Sequence, residues 1–136
     1  MKIFLDGADL ETMLELNKHS LVAGFTTNPT LLRKAGVLGY ETFARQLLRE
    51  IDKPISFEVL ADDVEIMELQ ARLISSWGEN VYVKIPITTT SGSSCISLIN
   101  KLLKEGIKIN ITAVLVPSQL QGLEYTDTKH IISVFA

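Results

Sequence analysis

Short apolar runs rich in β-branched residues recur along the chain at positions 3–6, 21–26, 55–60, 81–86, 107–113 and 131–135. Their content of Ile, Val and Phe predicts strands. Between them apolar residues fall three and four apart, as in Phe43, Leu47 and Leu48 or Ile66, Leu69 and Leu73. That spacing predicts amphipathic helices over 10–18, 40–49, 63–76 and 92–105. Strand followed by helix, repeated, argues for a parallel sheet. Asp62 and Asp63 read as caps or first-turn acids of the third helix, and Gly106 as the C-terminal stop of the fourth. Asn28, preceding Pro29, is expected to leave helical geometry and start a turn. No linker, charge block or low-complexity tract divides the chain, so 1–136 reads as a single domain.

Polar residues interrupt the strand-like runs at matching places. Asp6, Asn28, Glu58, Lys84, Thr112 and Ser133 each stand at or just past the C-terminal half of a strand. They share parity with the inward candidates Phe4, Thr26, Ser56, Tyr82, Asn110 and Ile131. Successive members lie 21 to 30 residues apart, one strand-plus-helix unit each. In a (β/α)8 barrel such positions converge at one face, whereas a doubly wound sheet would spread them along a line. The expected class is therefore α/β of the (β/α)8 TIM-barrel type, with about six of the eight units falling within this sequence.

Lys84 changes the picture most, because it is the one charge in the run Val81-Tyr82-Val83-Lys84-Ile85-Pro86-Ile87. Burial of an amine disfavours its charged form, and a neutral amine can attack a carbonyl to form a Schiff base. The balance of the chain, 46% hydrophobic and 21% charged over 136 residues with a net charge of -3, fits a globular domain. It supplies no basic field for nucleic acid or anionic lipid. No apolar stretch approaches the ~18 residues of a membrane span, and Asp6 interrupts the N-terminal run too early for a signal-peptide core. The one cysteine, Cys95, excludes an internal disulfide framework and reads as a small packed side chain. His19 and His130 fall in connections without metal-like spacing, so no metal is expected. The polar stretch from Thr88 to Ser94 reads either as a loop with its helix cap or as a phosphate cradle.

The ordered segments Phe4-Leu5-Asp6, Gly24-Phe25-Thr26-Thr27-Asn28-Pro29-Thr30-Leu31-Leu32, Ser56-Phe57-Glu58-Val59-Leu60-Ala61, Val83-Lys84-Ile85-Pro86, Asn110-Ile111-Thr112 and Ile132-Ser133-Val134-Phe135 resemble the motifs of the transaldolases. The related fructose-6-phosphate aldolases share most of them. The resemblance runs the length of the chain and implies class I aldolase chemistry on a (β/α)8 scaffold, without metal or cofactor. It implies that Lys84 forms the Schiff base and that Asp6 takes the proton from the hydroxyl whose bond breaks. Glu58 would move protons during imine formation through a water held also by Thr112. Asn28, Thr27 and Ser133 would bind the substrate, with Phe135 near the same mouth.

A glutamate at position 58 and a phenylalanine at position 135 favour the transaldolase outcome. Glutamine and tyrosine there would favour the aldolase. Gly7, where the family commonly has threonine, and Val116-Pro117-Ser118-Gln119 depart from the family pattern. The resemblance further implies sugar-phosphate substrates, a homo-oligomer, and a cytoplasmic role in the pentose phosphate pathway. The family's phosphate-binding arginine and its last two β/α units would fall beyond Ala136. The expectation is thus a C-terminally truncated chain, either enzymatic or acting as a silent assembly module.

Overall fold

All six runs of β-branched residues become strands, and the amphipathic segments pack over them. A computed structural model describes residues 1–135. The elements alternate as β1 (Ile3–Asp6), α1 (Leu10–Asn17), β2 (Val22–Thr26), α2 (Pro29–Lys34), α3 (Tyr40–Glu50), β3 (Ile55–Glu58), α4 (Val64–Ser75), β4 (Val81–Pro86), α5 (Ile96–Lys104), β5 (Ile109–Val114) and β6 (His130–Val134), with a short 3-10 turn at Pro117–Leu120. The strands form one parallel sheet in chain order, β1-β2-β3-β4-β5-β6. Neighbours in sequence are therefore neighbours in space, which is the wrapping order of an incomplete (β/α)8 barrel rather than a doubly wound sheet. Among the described residues, β1 and β6 are the two edges.

The core lies between the sheet and its helices. Ile55, Phe57, Val83, Ile85, Ile109 and Ile111 point outward from three adjacent strands and are fully buried. They meet Leu47 of α3, Met67 and Ala71 of α4, and Ile99, Leu102 and Leu103 of α5. The opposite face carries the polar residues of the same strands, so alternation delivers core and site on opposite sides of one sheet. Gly24 shows how closely the inner face is filled at the β1 edge. A Cβ there would lie 2.5 Å from the Phe4 ring and 2.7 Å from the Pro54 carbonyl.

The structure departs from the sequence reading at element ends, each for a local reason. The strand expected to reach residue 60 stops at Glu58, because the Gln70 side chain accepts the N–H groups of Leu60 and Ala61 at 2.7 and 3.0 Å. The helix expected from 92 begins at Ile96. Residues 88–94 instead close on themselves through a Thr88–Ser94 bridge, with Gly92 at φ +86°. Ile107, expected in the fifth strand, lies just after α5, where its N–H donates to the Leu102 carbonyl, and β5 begins at Ile109. Asn28 starts a helix rather than a turn, with its side chain accepting the Leu31 N–H at 2.9 Å and Pro29 at the first helical position. Asp63 caps α4 as expected. Asp62 instead receives the Thr90 N–H and hydroxyl, tying the β3–α4 loop to the β4–α5 loop.

Candidate active site

Parallel pairing lines up the inner residues of β3, β4 and β5 in rows. Glu58 pairs with Lys84, Lys84 with Asn110, and Pro86 with Thr112. The row opens at the C-terminal ends of the strands into a cavity of about 500 Å³ bounded by Asn28, Glu58, Lys84, Thr112, Ala113 and Phe135. Lys84 is 8% exposed. Its Nζ stands 3.6 Å from Glu58 Oε2 and 3.5 Å from the Thr27 carbonyl. One half-buried carboxylate thus faces the one buried lysine, at a distance that leaves the amine free to be approached from the cavity.

Burial raises the Glu58 carboxyl above its ordinary value, the Lys84 amine opposes the rise, and Asp6 adds to it. A carboxyl held partly protonated at milder pH than usual suits a group that gives and takes protons. Tyr40, on α3, donates its hydroxyl to the Glu58 carbonyl at 2.8 Å. Its ring packs edge-on against Phe57 and Trp77, so the end of β3 is held from behind by an aromatic cluster. Burial pushes the Tyr40 phenol well above the usual range, so it stays a donor. Thr112 Oγ1 is buried and has no protein partner. Buried hydroxyls are nearly always bonded, so this one is suited to a water or a substrate atom in the cavity.

Asp6, Thr27 and Ser133 are not among the residues that bound this cavity. Asp6 accepts the Thr26 hydroxyl at 2.8 Å and the Asn28 side-chain amide at 3.4 Å, which places its carboxylate beside the β2 end of the cavity. Ser133 donates to Asn110 Oδ1 at 2.7 Å, and Asn110 Nδ2 donates to the Ser56 hydroxyl at 3.0 Å. This relay joins β6, β5 and β3, with Asn110 paired in register with Lys84 and Ser56 with Tyr82. The Thr27 hydroxyl is fully buried and committed to the Ser56 carbonyl at 3.0 Å. What Thr27 offers Lys84 is its backbone oxygen, not its side chain. Phe135 is half exposed at the rim. Thr26, Ser56 and Asn110 were not singled out from the sequence as site residues, although their inward parity was the signal that could have found them. Trp77 and Met67 are both core.

Comparison with known proteins points the same way. The family model for transaldolase/fructose-6-phosphate aldolase matches residues 3–136. A probable transaldolase of Methanococcus maripaludis (strain C7 / ATCC BAA-1331) is 42% identical over 119 residues, covering 88% of this chain and 53% of the relative. Probable transaldolases of Streptococcus equi subsp. zooepidemicus (strain MGCS10565) and Streptococcus pyogenes serotype M5 (strain Manfredo) are each 40% identical over the same shares. The chain therefore spans about half the length of the curated relatives it matches.

Proposed function

The chain belongs to the transaldolase/fructose-6-phosphate aldolase family, and on that premise we propose that its site performs transaldolase chemistry through a Schiff base on Lys84. The observation that carries this reading is the buried Lys84 amine, facing a cavity and 3.6 Å from the Glu58 carboxylate. The reaction moves a dihydroxyacetone unit from sedoheptulose 7-phosphate to glyceraldehyde 3-phosphate, giving erythrose 4-phosphate and fructose 6-phosphate. Its setting would be the cytoplasmic pentose phosphate pathway.

In this scheme the Lys84 amine adds to the ketose carbonyl to give a carbinolamine. Loss of water, assisted by proton transfer from Glu58 through a water held at the Thr112 hydroxyl, gives the iminium. Asp6 removes the proton of the hydroxyl next to the scissile carbon-carbon bond. The bond's electrons move toward the iminium nitrogen, an aldose phosphate leaves, and an enamine stays on Lys84. Attack of the enamine on the acceptor aldehyde reverses these steps. Asn28 and Ser133 would hold the donor hydroxyls, and such fixed orientation can supply several kcal/mol.

The alternative within the family, a fructose-6-phosphate aldolase, would protonate and release the enamine. Glu58 and Phe135 support the transferase reading. The test is incubation with fructose 6-phosphate, with and without erythrose 4-phosphate. Sedoheptulose 7-phosphate formed in the presence of acceptor supports transfer, and glyceraldehyde 3-phosphate released without acceptor supports the lyase. Neither product from folded protein would contradict both.

A further inference from the structure

Ala113 has φ +58°, the one positive value at a non-glycine position among the described residues. Alanine enters that region reluctantly, because its Cβ crowds the following carbonyl. The residue sits where β5 holds one residue more than β6. Ile111 pairs with Ile132 and Val114 with Val134, so Thr112 and Ala113 together oppose Ser133 alone. A bulge of this kind interrupts the alternation of faces.

The consequence can be read residue by residue. Ile109 and Ile111 enter the helix-covered core, and Asn110 faces inward. Unbroken alternation would send Ala113 to the core and Val114 inward. Instead Val114 is in the core at 1% exposure, and Thr112 and Ala113 both border the cavity. Hydrogen bonds fix the bulge on both sides. The Ile87 N–H donates to the Thr112 carbonyl at 2.9 Å, and the Phe135 N–H donates to the Val114 carbonyl at 2.8 Å. The unpartnered Thr112 hydroxyl and the rim residue Phe135 therefore depend on the same turn.

We propose that Ala113 is a positioning residue, whose left-handed backbone holds the bulge that keeps the Thr112 hydroxyl in the cavity beside Glu58 and Lys84. The inference rests on the reading of those three residues as an imine-forming site. A β-branched residue cannot hold this φ without severe strain, so valine at this place expels the bulge and displaces Thr112. Glycine holds it freely.

The experiment measures the rate of borohydride-trapped adduct formation at Lys84 with saturating fructose 6-phosphate. Ala113→Val is expected to slow it about 10- to 100-fold, with little change in the concentration giving half-saturation. Thr112→Val slows it comparably, and the double variant is no slower than Thr112→Val alone, as follows when one residue acts through the other. Ala113→Gly recovers the rate that valine loses and melts at a higher temperature than the parent. A folded Ala113→Val that forms adduct at the parent rate, or losses that multiply in the double variant, would overturn the proposal. Where Ala113→Val does not fold, the glycine variant decides, since a lowered melting temperature would show that no left-handed residue is relieved there. Absence of any adduct in the parent protein overturns the reading of the site and this inference with it. A parent adduct with an indifferent Ala113→Val overturns this inference alone.

Discussion

Glu58 governs the pH behaviour of the site at the scale of single residues. Its carboxyl is raised by burial, so the folded chain holds that proton more tightly than the unfolded chain does. Between the unfolded and folded values the native state carries the extra proton, and stability falls as pH rises through that window. Glu58→Gln is expected to remove this contribution, so urea denaturation from about pH 4 to pH 7 should show a shallower fall for the variant. A slope unchanged by the substitution would show that the carboxyl is not perturbed. In the step where Glu58 donates the proton that expels water, adduct formation should fall as pH rises through its titration, above an ordinary glutamate value of about 4.3, and that limb should disappear in Glu58→Gln.

The helices divide into those that carry the fold and those whose ends serve the site. α5 buries Ile96, Leu98, Ile99, Leu102 and Leu103 against the sheet. Leu102 is fully buried. Leu102→Ala is expected to lower stability by about 2–5 kcal/mol, measured by chemical denaturation. Asp63 accepts the N–H groups of Glu65 and Ile66 at the start of α4, away from the cavity. Asp63→Ala should cost about 1 kcal/mol while leaving the rate of adduct formation at Lys84 alone. Asn28→Ala should remove a cap of similar worth and slow the adduct as well, because Asn28 also reaches Asp6. The position of these elements was legible in the sequence, since α5 and β4 are marked by plain periodicity. The start of α2 was not, because Asn28-Pro29 serves a turn and a helix cap equally well. The bulge at Ala113 was hidden too, since nothing in Asn110-Ile111-Thr112-Ala113-Val114 marks where alternation breaks. Parity marked Lys84, Glu58 and Thr112 as inward, and Ser56 and Asn110 too, but the hydrogen bonds that join Ser56, Asn110 and Ser133 across strands have no mark in the sequence.

For the molecule as a whole, the described sheet is open. β1 pairs only with β2 and β6 only with β5. Ile132 and Val134 on β6 are 38% and 67% exposed, and Phe4 on β1 is 38% exposed. Unpaired strand edges with apolar side chains favour pairing with another chain. Sedimentation of this chain should therefore show concentration-dependent species heavier than its 15.1 kDa. Val134→Lys should weaken that association, and a strictly monomeric chain at high concentration would contradict it. The proposed chemistry is decided at Lys84. The most direct measurement is borohydride reduction in the presence of fructose 6-phosphate, followed by intact mass and peptide mapping. The account predicts one stable adduct, located at Lys84 and lost in Lys84→Met. A folded chain that gives no adduct, or carries it on another lysine, would contradict the account.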